Sequence, residues 1–85
     1  MSVEPTTLEQ GRQGLKVTAV NPRSPAARAG LKPDDVLLEI NRRPVKALED
    51  VKPALEARID KRYNLIRFLR AGHEKLTSME PATIK

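Results

Sequence analysis

The chain has 85 residues, enough for one small domain. It has no cysteine and a single histidine, which excludes a disulfide framework, a cysteine nucleophile and a thiolate or histidine-built metal site. Hydrophobic residues make up 39% and charged residues 32%, no apolar run approaches the roughly 20 residues of a membrane span, and "MSVEPTTLEQ" lacks the basic start and apolar stretch of a signal peptide. The net charge of +5 is spread from Arg12 to Lys85 and reads as a solvated mixed-charge surface; a nucleic-acid or anionic-lipid surface is the alternative, disfavoured because the chain has only Tyr63 and Phe68 as aromatics for stacking.

In chain order, 3–9 carries enough β-branched residues for an extended segment, which Pro5 confines to a sheet edge. "QGRQG" (10–14) reads as a turn into the strand "LKVTAV" (15–20), where Leu15, Val17 and Ala19 share a face. "NPRSPAARAGLKPDD" (21–35) then spells a capped helix. Ser24 accepts from the free N–H groups of the first turn, Pro25 fits the next position, Gly30 supplies the left-handed stop and Leu31 packs back on the last turn.

"DVLLEI" (35–40) is nearly continuously apolar and predicts a strand buried on both faces; "NRRP" (41–44) turns the chain. In "ALEDVKPALEARI" (47–59) apolar residues at 48, 51, 55 and 59 mark one helical face, with Val51 pointing straight into the core. Pro53 is tolerated there if the regular helix starts near Asp50 after a 3₁₀ beginning at 48–50. "NLIRFLR" (64–70) and 73–80 are strands joined by the turn "AG", with 82–85 a tail to a domain spanning 1–81. The order predicts an α+β fold: a small, largely antiparallel, partly open barrel capped by two helices.

Ser24 is accounted for by capping and His73 by its place beside a turn glycine, so no catalytic triad is expected, and the scattered aspartates give no calcium loop. No cofactor, metal or catalytic residue is expected.

The stretch "LKVTAVNPRSPAARAGLKPDDVLLEINRRPV", followed by "ALEDVKPALEARI" and "NLIRFLRAGHEKLTSMEP", resembles PDZ domains over about 15–81. The element order is similar to the bacterial, circularly permuted type found in HtrA-type serine proteases, site-2 proteases and related envelope proteins. The family's Gly-Asp pair is Asp34-Asp35 here, and its Asn-Gly turn is Asn41-Arg42, with Asn41 expected in the left-handed region. The glycine-containing loop that binds a ligand carboxylate in the family should lie at or just before residues 1–3, where "MSV" supplies Ser2 but no glycine. "GRQGL" (11–15) is similar to that loop in composition only and sits in the wrong place.

The resemblance implies a non-catalytic module that binds protein C-termini or extended hydrophobic peptides by strand addition, serving a larger HtrA-type protease or contacting other domains of its parent. It implies a peptide site made by Ser2, Val3 and Glu4 on the edge strand and Leu48, Lys52 and Leu55 on the second helix. Leu48, where many PDZ domains carry histidine, would favour an apolar ligand residue, and Lys52 at the rim an acidic or polar one. A cell-envelope or periplasmic location is implied by the resemblance alone. The alternatives are a degenerate PDZ scaffold without carboxylate recognition and the basic nucleic-acid or lipid binder.

Overall fold

The computed structural model describes residues 1–8, 11–58 and 62–80. Expectations that fall on Glu9, Gln10, Ile59, Asp60 and the 81–85 tail lie outside them. Six strands form a single open sheet: β1 (Ser2–Thr7), β2 (Gln13–Ala19), β3 (Val36–Ile40), β4 (Arg43–Pro44), β5 (Asn64–Arg70) and β6 (His73–Met79). The order across the sheet is β1-β2-β3-β5-β6, with β4 added to β3, and every pairing is antiparallel. Helices α1 (Pro25–Arg28) and α2 (Val51–Glu56) bridge β2 to β3 and β4 to β5, and a 3₁₀ turn at Leu48–Asp50 leads into α2.

β3 pairs with three strands and is buried on both faces, four of its five residues being buried, and that burial is why its sequence reads as a nearly continuous apolar run. Leu37 and Ile40 are fully buried with Leu15, Val17, Ile66 and Val45, and Phe68 is the one aromatic in this otherwise aliphatic core.

Helix α1 follows its sequence signals. The Ser24 hydroxyl accepts from Ala27 N–H (3.3 Å) and Pro25 occupies the first helical position. Gly30 (φ +89) ends the helix, with Gly30 N–H donating to Ala27 and Leu31 N–H to Ala26, the Schellman pair of bonds, and Leu31 is buried. Thr77 Oγ1 donates to Ala29 O (2.9 Å), docking the helix on β6.

Both two-residue hairpins have positive φ at each central residue, Asn41 (53°) and Arg42 (68°) between β3 and β4, Ala71 (52°) and Gly72 (80°) between β5 and β6. These are type I′ turns, whose twist matches the flanking strands. Asp34 takes φ +76°, the conformation the missing glycine would supply.

Two expectations need correction. Gln13 and Gly14 belong to β2, not to a turn, and Gly14 is required by close approach: a Cβ there would lie 2.7 Å from Val36 Cγ1 and 2.8 Å from Leu37 O. On α2 the fully buried residue is Ala54, whereas Val51 is only part-buried. The buried stripe of α2 is centred on Ala54, with Val51 and Leu55 part-buried at its border against the core. Pro53 is the third residue of α2, where its absent N–H has no intrahelical acceptor to miss.

Candidate functional site

β1 is one edge of the sheet, and the hydrogen bonding of β2 fixes which of its backbone groups are free. Val17 N–H donates to Asp35 O (2.7 Å) and Val17 O accepts from Asp34 N–H (2.8 Å), so Val17 spends both groups toward β3. Its β1 partner Val3 therefore belongs to a non-hydrogen-bonded pair, and the ladder bonds fall on Glu4–Lys16 and Thr6–Gly14. Leu8 N–H donating to Arg12 O (2.6 Å) fits the same alternation. The backbones of Val3, Pro5 and Thr7 thus face the open edge. A bulge between Ser2 and Val3, where Thr18 Oγ1 donates to Ser2 O (3.2 Å), adds twist at the start of this edge.

Beside this edge lies an apolar cleft of about 200 Å³. It is lined by Met1 and Val3 at the start of the chain, Val51 and Leu55 of α2, Ser24, Pro25 and Ala26 at the start of α1, and the buried Leu37, Ile40, Ile66 and Met79. Val3, Val51 and Leu55 are part-buried against the core, which leaves apolar surface for an incoming side chain.

The position of α2 sets the width of this cleft, and a buried amide network holds it. Asn41 Nδ2 donates to Ala54 O in α2 (2.8 Å) and to Asn64 Oδ1 (2.9 Å), and Asn41 Oδ1 accepts from Leu65 N–H (2.9 Å). Asn41 and Asn64 are both buried and every side-chain polar atom buried among the described residues has a partner. At the other end Asp50 Oδ2 accepts from the N–H groups of Lys46 (2.9 Å) and Ala47 (3.0 Å), bonds that hold its carboxyl below the usual aspartate value and fix the turn into the helix.

Of the six residues expected at the site, Val3 and Leu55 line the cleft. Ser2 and Glu4 are exposed on β1, Lys52 is exposed on α2, and Leu48 is 56% exposed on the 3₁₀ turn, which lies against β1. Met1, Val51 and the start of α1 are cleft residues that the sequence reading did not single out. Val51 was identifiable, since Val51 and Leu55 are one turn apart on a helical face. Ser24 Oγ accepts from Ala27 and donates to Asn21 O (2.7 Å), a capping arrangement with no histidine in it. Among the described residues no three histidine, aspartate or glutamate side chains converge as a metal site, and no helix is long and apolar enough to cross a membrane.

The sequence profile of the PDZ domain family matches residues 16–66, more than half of the chain. The chain belongs to the PDZ domain family. A PDZ domain is a binding module without catalytic residues of its own. The magnetosome formation protease MamE of Magnetospirillum gryphiswaldense is 43% identical over 65 residues, covering 76% of this chain and 8% of that protein. The periplasmic pH-dependent serine endoprotease DegQ of Escherichia coli is 39% identical over 51 residues, 60% of this chain and 11% of DegQ. This PDZ chain thus spans about a tenth of the length of those proteases. Among solved structures, the HtrA3 PDZ domain bound to a phage-derived ligand (FGRWV) superposes with a TM-score of 0.68 at 26% identity, covering 80% of this chain and 62% of that one. A serine endoprotease from Yersinia pestis shares the fold, with a TM-score of 0.73 at 22% identity over 98% of this chain and 30% of that one.

Proposed function

We propose that this PDZ domain binds the hydrophobic end of a protein chain, which adds as an antiparallel strand to β1 and seats its terminal side chain in the cleft. The observation that carries the reading is the juxtaposition of a free backbone edge at Val3 with an apolar cleft lined by Val3, Val51 and Leu55. Ser2 and Glu4 flank Val3 on the strand, Leu48 offers apolar surface to an upstream ligand residue, and Lys52 favours an acidic or polar one. The peptide-bound HtrA3 domain supports the same class of ligand, and the similarity to MamE and DegQ supports a role presenting or sensing chain ends for a protease of that type.

The contact area of a short peptide falls below about 1,200 Å², which places the affinity near micromolar or weaker. In a titration with a peptide ending in an aliphatic residue, Leu55→Asp is expected to weaken binding at least about ten-fold, because it sets a charge in an apolar cleft. Unchanged affinity in a folded Leu55→Asp protein would place the ligand elsewhere. Comparing the free acid with its amide separates carboxylate recognition from a scaffold role, and insensitivity of binding to salt removes the electrostatic alternative.

A further inference from the structure

We infer that Pro5 makes this site a reader of short chain ends, cutting the peptide ladder off after one full pair at Val3. The inference rests on the strand-addition reading above. An antiparallel peptide on β1 runs from the Thr7 end toward the Val3 end, so its C-terminal residues meet the cleft and its upstream residues pass Pro5. The peptide residue opposite Val3 gives and receives a backbone hydrogen bond. Two residues upstream, the peptide N–H reaches Pro5 O, but the peptide C=O meets a pyrrolidine ring where a donor is needed. Pro5 is exposed and its β2 partner, Leu15, belongs to a non-hydrogen-bonded pair, so the missing N–H costs the sheet nothing and is felt only by an added strand. The next free pair, at Thr7, is reachable only past this gap. Recognition is thereby confined to the last few residues, and the sequence upstream of them is left unread.

The test is a nested set of peptides of three, five, seven and nine residues with one common hydrophobic C-terminus, titrated by calorimetry against the natural chain and Pro5→Val. Circular dichroism confirms that both are folded. For the natural chain, affinity is expected to change less than about two-fold beyond five residues. Pro5→Val restores one backbone donor and is expected to bind the seven- and nine-residue peptides about five-fold more tightly, with the three-residue peptide unaffected. A steady gain of affinity with length in the natural chain, or no gain for long peptides in Pro5→Val, overturns the role of Pro5 and leaves strand addition standing. Absence of binding by every peptide to both proteins overturns strand addition and the Pro5 inference with it.

Discussion

Asn41→Gly is expected to destabilise the domain by about 2–6 kcal/mol, because it strips hydrogen bonds from three groups, two of them through buried bonds at a cost of about 1–3 kcal/mol each. Glycine keeps the left-handed backbone (φ 53°), so the loss reports the side-chain amide plus a smaller cost of glycine's freer unfolded chain. Asn64 Oδ1 loses its donor, Leu65 N–H loses its acceptor, and α2 loses the tie at Ala54 O. Urea denaturation reads the stability. Asn41→Ala should fall lower still, by about 1–2 kcal/mol, since alanine adds a left-handed backbone penalty that glycine lacks. The freed helix also predicts weaker peptide binding in the folded fraction, as the cleft wall carrying Val51 and Leu55 is no longer pinned. Wild-type stability in Asn41→Gly would show that the network is dispensable.

The second large effect centres on Asp35, whose carboxylate is 2% exposed beneath Arg70. Arg70 Nε and Nη2 reach the two carboxylate oxygens at 2.9 and 2.6 Å, Lys32 N–H adds a third bond at 2.9 Å, and Nη2 also donates to Gly30 O (2.7 Å). The guanidinium lies 5.2 Å from the Phe68 ring centroid, stacked on the core. Arg70→Ala leaves a buried carboxylate without its cation and is expected to lower Tm by roughly 10 °C or more. The double variant Asp35→Leu, Arg70→Met should melt well above the single one, since removing both charges removes the uncompensated burial.

The same bond sets the acid limit. Burial acts to raise the Asp35 pKa, but the Arg70 and Lys32 hydrogen bonds and their charges outweigh it and hold the carboxyl below its ordinary value. A carboxyl with a depressed folded-state pKa stabilises fully above its unfolded value and loses that contribution as pH falls toward the folded one. Tm should therefore drop below about pH 4, with unfolding taking up as much as one proton at Asp35. Asp50 contributes with the same sign. A Tm profile equally steep in the natural chain and in Asp35→Asn would exclude Asp35 as the source.

What the sequence made legible was what depends on near neighbours. Ser24, Pro25 and Gly30 announce α1 because a cap, a first-turn proline and a left-handed stop act within a few residues. The 3₁₀ start and the place of Pro53 followed from one steric rule. The less legible features involve distant partners. Nothing near Asp35 points to Arg70, nor near Asn41 to Asn64, because those pairs lie 35 and 23 residues apart. Gly14 read as punctuation because its reason is the β3 backbone beside it. At the cleft, Val3 and Leu55 were named through the resemblance to PDZ domains, and both line it. Met1 and Ser24 line it through the tertiary fold, and Leu48, on the 3₁₀ turn ahead of α2, lies mostly exposed.

β3 shares hydrogen bonds with β2, β4 and β5, so no part of the sheet can release it without breaking several ladders at once. Partial opening is then confined to the flanks, β1 with its one neighbour and β6 with its one neighbour. Amide protons of Leu37 and Ile40 should exchange only through complete unfolding, and those of β1 far faster. The strand proposed to receive a ligand is thus the one the domain can loosen without cost to its centre, and a peptide seated along it would slow exchange there first.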